Sequence, residues 1–229
     1  MDYSQLYDKV EQSVVQVVQL DAANNIVSSA SGGIVGDGSL VITCSHCCDS
    51  RFLTGVKYDE NRVIIGNIIF NDTQSDIAVL NFDIKLGKPL KMVDSSCLRI
   101  GNDVFTIGFP YNGDKTLVVG NVASFENELI KINASVNNGN SGGPLFNLDA
   151  EVIGIVNAKL GNVSRSLQAM LNRNYSAAVY IGGVDPIRAM QDMIRDMQRN
   201  LNLGIGYAIP TTEIKRICQD SGSCKIFVQ

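Results

Sequence analysis

Short apolar runs rich in β-branched residues recur along the chain, separated by Gly, Asn and Asp. Val14-Val15-Gln16-Val17-Val18, Val63-Ile64-Ile65 and Thr116-Leu117-Val118-Val119 are examples. Runs of this kind, with turn signals about every 8–12 residues, predict strands and a mainly all-β chain of barrel or sandwich type. One stretch departs from the pattern. Asp185-Pro186 reads as a helix start, an N-cap residue followed by proline at the first helical position. Ile187, Met190, Ile194, Met197 and Leu201 then recur at spacings of 3, 4, 3 and 4. They make one apolar stripe, with Arg188, Asp192, Arg195, Asp196 and Arg199 off it. The stripe is too short for a coiled coil. The expectation is a helix packed on the β-structure, with an oligomer or partner contact through 185–201, or a lid, as the other uses. Met170, Met190, Met193 and Met197 lie between Ile155 and Gly204, which suits an adaptable contact surface.

The chemistry concentrates elsewhere. Gly139-Asn140-Ser141-Gly142-Gly143-Pro144-Leu145 surrounds a serine with glycines, which give the backbone freedom to turn sharply and open space for a close approach. Acyl transfer needs that combination, a nucleophile beside backbone donors for an oxyanion. Serine also needs a base titrating near neutrality. The chain has one histidine, His46, closing the β-branched run that begins at Leu40. A carboxylate must orient the imidazole, and Asp76, just before Ile77-Ala78-Val79-Leu80, is the candidate. No histidine follows Ser141, so the serine–acid–histidine order of α/β-hydrolases is excluded. The order His46, Asp76, Ser141 is that of trypsin-like peptidases.

Several segments in sequence resemble that family, and within it the HtrA/Deg branch. They are Ser31-Gly32-Gly33-Ile34-Val35 with Leu40 to His46, Asp76 to Leu80, Gly101-Asn102-Asp103-Val104 through Pro110, Gly139 to Leu145, Glu151 to Ile155, and Gly204-Ile205-Gly206-Tyr207-Ala208-Ile209-Pro210. The resemblance implies a single peptidase unit of two six-stranded antiparallel β-barrels, residues 1–95 and 96–229. It adds a helical insertion at about 161–203 in the second barrel and a C-terminal helix. It implies a serine endopeptidase with His46, Asp76 and Ser141 as triad, the N–H groups of Gly139 and Ser141 as oxyanion hole, and no metal or cofactor. It also puts Ser135 at the base of the primary substrate pocket beside Val136, with Val156, Asn157 and Ala158 on the second wall. These neutral side chains imply cleavage after small or medium apolar residues. Asn140 stands where secreted trypsins carry the aspartate that pairs with a freed N-terminus, so that activation switch is not expected. No PDZ module is expected after the barrel.

Composition narrows the setting. With 45% hydrophobic residues the chain can bury a full core, and a net charge of −4 with a pI of about 5.0 gives no electrostatic case for nucleic acid. No stretch reaches the roughly 18 apolar residues of a membrane span, and Met1 to Leu6 does not read as a signal peptide. Cys44, Cys47, Cys48, Cys97, Cys218 and Cys224 are expected as reduced thiols in an intracellular protein, virion-associated if the gene is viral. Cys44, His46, Cys47 and Cys48 crowd one strand end and are not expected to make a metal site. The expected partners are protein or peptide substrates. A second reading is a catalytically silent protease-like scaffold, part of a larger assembly such as a virus particle.

Overall fold

The computed structural model describes residues 2–60, 62–157, 180, 183, 185–200, 204–221 and 226. Seven strands form a first antiparallel sheet: β1 Val14–Leu20, β2 Ile26–Val35, β3 Leu40–Thr43, β4 Leu53–Lys57, β5 Val63–Ile65, β6 Asn67–Asp72 and β7 Ile77–Asn81. Their order is β5-β4-β1-β2-β3-β7-β6. Six more close into a barrel: β8 Asp103–Gly108, β9 Thr116–Glu126, β10 Leu129–Ile132, β11 Pro144–Phe146, β12 Val152–Val156 and β13 Gly206–Pro210.

The first sheet has one strand more than expected because Gly66 divides the run 63–72. A Cβ there would sit 2.6 Å from the Phe82 ring. Only glycine lets the backbone bend over that aromatic side chain. β9 and β10 meet at Asn127-Glu128, both in the left-handed region (φ 49° and 63°). That is the backbone of a two-residue hairpin turn matched to strand twist.

Alternation along the strands makes two cores. The first gathers Val17, Ile34, Val41, Ile77, Val79 and Leu80 and runs on into Phe105, Phe146, Ile155 and Ile209. It therefore binds the sheet to the barrel through shared apolar burial, at ~25 cal/mol per Å² removed from water. The second, inside the barrel, contains Val104, Val122, Ile130, Leu145, Ile153 and Val156. Phe105 and Phe146 stack with centroids 4.9 Å apart, and Tyr3 meets Phe105 edge-on. Tyr3 belongs to α1, Tyr3–Val10, which the strand pattern did not predict. Asp2 caps it by accepting from the Ser4 N–H, and Leu6 and Val10 face the core.

The helix expected after Asp185 is present as α2, Pro186–Asn200. The Asp185 carboxylate accepts from the N–H groups of Ile187 and Arg188, as an N-cap should. Its stripe is only partly used: Ile194 is buried, but Met190 is exposed, as is Met193 off the stripe. The Met197 side chain and Leu201 lie outside the described residues, as does most of the inserted segment 161–203. The C-terminal helix α3, Thr211–Ser221, packs Ile214, Ile217 and Cys218 inward.

Candidate active site

β3 delivers the chain to the open end of the first sheet, where Ser45–Cys47 make one tight helical turn. That turn presents His46 with its side chain 24% exposed. Asp76, just before β7, has a φ of 58°, a left-handed conformation that aspartate tolerates better than most residues. Its backbone carbonyl accepts from the Ser45 N–H at 3.1 Å. Its carboxylate accepts from the His46 backbone N–H at 2.8 Å through Oδ1 and lies 2.7 Å from His46 Nδ1 through Oδ2. The same Oδ2 accepts from Asn157 Nδ2 at 2.7 Å. One carboxylate thus fixes both the backbone and the ring of the histidine.

The electrostatics follow. Burial works against ionisation of Asp76, but the bonds from His46 and Asn157 outweigh it and hold its pKa below the usual carboxylate range. For His46, burial pulls the pKa down. The bonds to Asp76 and Cys47 pull harder, and the ring titrates at about 9. Cys47, hydrogen-bonded to Cys44 and beside His46, is lowered to about 6 despite its burial. The Cys44 thiol is pushed the other way by that shared bond and by burial, and burial lifts Cys48 to about 12.

Ser141 follows β10 in the barrel and is 5% exposed. The loop that carries it presses directly on the end of β3. Gly142, at φ +84°, makes the approach feasible, since a Cβ there would lie 2.1 Å from Thr43 Oγ1 and 3.0 Å from the Cys44 nitrogen. The Val156 carbonyl accepts from the Gly142 N–H at 2.8 Å and from the Cys44 thiol at 3.4 Å, so one oxygen ties the serine loop to the strand end before His46. Gly139, at φ +99°, would place a Cβ 2.2 Å from the Phe109 carbonyl. Each position admits glycine alone.

Not all residues expected at the site line it. Ser135 is exposed, but Val136 and Val156 pack into the barrel core. Asn157 donates to Asp76 beside the cavity it lines, a role its sequence position did not reveal. Ala158 lies outside the described residues. Asn140 is 1% exposed, and among the described residues neither its Nδ2 nor its Oδ1 has a hydrogen-bond partner. A cavity of 1390 Å³ lies on the Asp76 side of the pair, lined among others by Gln74, Asn157, Glu128 and Arg216. Ser141 is not on its wall.

Cys44, His46 and Asp76 do bring one ligand atom each to within 4.8 Å of one another, closer than strand alternation suggested. All three are engaged in hydrogen bonds, and the Cys44 thiol holds its proton. The reduced-thiol expectation holds at Cys44, Cys47, Cys48 and Cys97 and fails at Cys218, which is disulfide-bonded. The argument from six thiols to an intracellular setting fails with it. No described helix is long and apolar enough to cross a membrane.

The family model of the trypsin-like peptidase domain matches residues 30–155, more than half of the chain. The chain belongs to the trypsin-like peptidase family. It is 34% identical over 136 residues to a probable periplasmic serine endoprotease DegP-like of Marinomonas sp., covering 56% of this chain and 29% of that relative. To its counterpart in Rickettsia conorii it is 33% identical over 152 residues, covering 60% and 30%. To serine protease HTRA1A of Danio rerio it is 28% identical over 200 residues, covering 78% and 42%. The chain therefore spans about three tenths of the length of the bacterial relatives. A solved HtrA-type protease with a tripeptide shares the fold, with a TM-score of 0.69 and 20% identity over 96% of this chain and 63% of the other.

Proposed function

We propose that this peptidase domain is a serine endopeptidase of the HtrA/DegP type. Ser141 Oγ attacks the scissile carbonyl while His46 takes its proton, and Asp76 holds the imidazole in the tautomer that leaves Nε2 to act as base. The tetrahedral oxyanion receives the N–H groups of Gly139 and Ser141, each worth on the order of 3 kcal/mol in the transition state. The protonated His46 then donates to the leaving amine, and water attacks the acyl-enzyme with the same histidine as base. His46 serves as both base and acid, and the oxyanion donors are backbone N–H groups.

The observation that carries the reading is the His46–Asp76 pair, bonded at 2.7 and 2.8 Å through both ring and backbone. A lone structural histidine has no need of two bonds to one partly buried carboxylate. The silent-scaffold alternative is not favoured, since the relatives are named as serine proteases and the chain carries all three triad residues. For the compartment, the disulfide at Cys218 and the relatives named periplasmic favour an oxidising setting over the intracellular one first expected. Protein or peptide chains are the substrates. Ser135, which stands where the resemblance puts the base of the primary pocket, is uncharged and favours small or medium apolar residues before the cut, because an unpaired buried cation costs several kcal/mol. Hydrolysis of an unstructured protein substrate tests the activity. It should be measurable for the native chain and absent for Ser141→Ala, and equal turnover by both would refute it.

A further inference from the structure

An oxyanion hole works only if its N–H groups point at the oxyanion before the substrate arrives. A trans peptide holds N–H and C=O on opposite sides. The grips on the Asn138 and Asn140 carbonyls therefore aim the N–H groups of Gly139 and Ser141. The Asn138 carbonyl accepts from the Tyr111 N–H at 2.8 Å, and the Asn140 carbonyl accepts from the Gly143 N–H at 3.0 Å. The Gly139 N–H is thereby turned away from Tyr111, and the Ser141 N–H away from Gly143. Between them, the Gly139 carbonyl accepts from Ser31 Oγ at 2.7 Å and the Ser141 carbonyl from the Ser31 N–H at 2.9 Å. Ser31 lies in β2 of the first sheet and is fully buried.

Ser31 also holds the other side of this loop. Its Oγ accepts from the Phe109 N–H at 2.9 Å, where the chain enters the turn Pro110–Asn112. Tyr111 and Asn112 in that turn have φ of 55° and 60°, a conformation that must be held from outside. Gln16 of β1, itself buried, donates to Asn112 Oδ1 at 2.6 Å. The first sheet thus holds the Gly139 carbonyl directly and the Asn138 carbonyl indirectly, through the Tyr111 turn that Ser31 and Gln16 fasten.

We propose that Ser31 is a positioning residue for the oxyanion hole: it fastens the Phe109 end of the turn whose Tyr111 N–H grips the Asn138 carbonyl and so aims the Gly139 N–H, and it holds the far side of Gly139 through its carbonyl, with Gln16 as a weaker second clamp on the same turn. This rests on the proteolytic reading above. A serine that merely glued the two halves together would affect stability and substrate binding alike. A positioning serine affects the oxyanion-bearing state.

The test is steady-state peptidase kinetics of Ser31→Ala on the whole chain, normalised to active sites titrated with a fluorophosphonate. The expected result is a kcat lowered about 10- to 100-fold, less than or comparable to loss of one oxyanion donor, with KM within about threefold. Affinity for a peptide aldehyde, whose hemiacetal oxygen occupies the hole, should fall by the same factor, while affinity for a product peptide stays unchanged. A kcat per titrated site within about twofold of the native value, or aldehyde and product affinities falling together, overturns the proposal. Should Ser31→Ala not fold, Gln16→Leu keeps the volume, and about a 3- to 10-fold loss of the same pattern is expected. An unchanged aldehyde affinity in that variant overturns the clamp as well. A native chain that neither hydrolyses peptides nor titrates refutes the proteolytic reading itself, an outcome distinct from a normal native enzyme with an indifferent Ser31→Ala.

Discussion

The corner carrying His46 is ordered by side-chain bonds to one carboxylate, whereas the loop carrying Ser141 is ordered through its backbone carbonyls. Asp76 reaches the ring, the backbone and Asn157 within 2.7–2.8 Å. The loop is held differently. It relies on left-handed glycines at 139 and 142 and on partners in β2, β12 and the turn Pro110–Asn112. The difference teaches where each half is vulnerable. Charge-assisted bonds among three side chains fail when one side chain changes. A loop held by many backbone bonds fails by degrees, through residues far from the chemistry.

The largest effect expected is at the reacting groups. Ser141→Ala and His46→Ala should each lower kcat by about 10⁶, and the double variant should be scarcely worse than either, because the groups act as a unit. Additive losses in that cycle would break the proposed roles. Asp76→Asn comes next, with a loss of about 10⁴ in kcat because the imidazole is held in the wrong tautomer. Stopped assays against a chromogenic peptide measure both.

The same corner sets the pH dependence. His46 is stabilised as imidazolium in the folded chain, so its contacts add stability below about pH 6.5 and lose it as pH rises through about 9. Catalysis needs the neutral ring, so kcat/KM should rise with pH and reach half its plateau above 6.5. That is higher than an unperturbed histidine would give, and the midpoint should fall in the residual activity of Asp76→Asn. A native midpoint at or below 6.5 would separate the ring from its carboxylate. The smallest effect concerns the substrate. A peptide library should show loose preference for Val, Ala, Leu or Met before the cut, because one methylene is worth only about 1–3 kcal/mol. Dominant cleavage after Arg or Lys would show that Ser135 does not form the base of the pocket.

Much of the His46 corner was legible in the sequence. Its residues are rare or placed at strand ends, and their order along the chain matches that of trypsin-like peptidases. The strand pattern likewise foretold a β-architecture, and Asp185-Pro186 foretold the helix start. What stayed hidden depends on pairings distant along the chain. Asn157 and Ser31 look like ordinary polar residues at the edges of apolar runs, and only folding brings them to Asp76 and Gly139. Gly66 could not announce the bend over Phe82. α1 is short and stabilised by docking of Tyr3 on Phe105, so its own periodicity carried little signal. Val136 and Val156 were expected on a pocket wall, but barrel closure takes them into the core.

One measurement bears most directly on the central claim that the two halves make a working nucleophile. The native chain, treated with a fluorophosphonate probe and analysed by mass spectrometry, should take up one probe per chain on Ser141, and His46→Ala should suppress the reaction. A well-folded native chain that takes up none, or carries the probe on another residue, would contradict it.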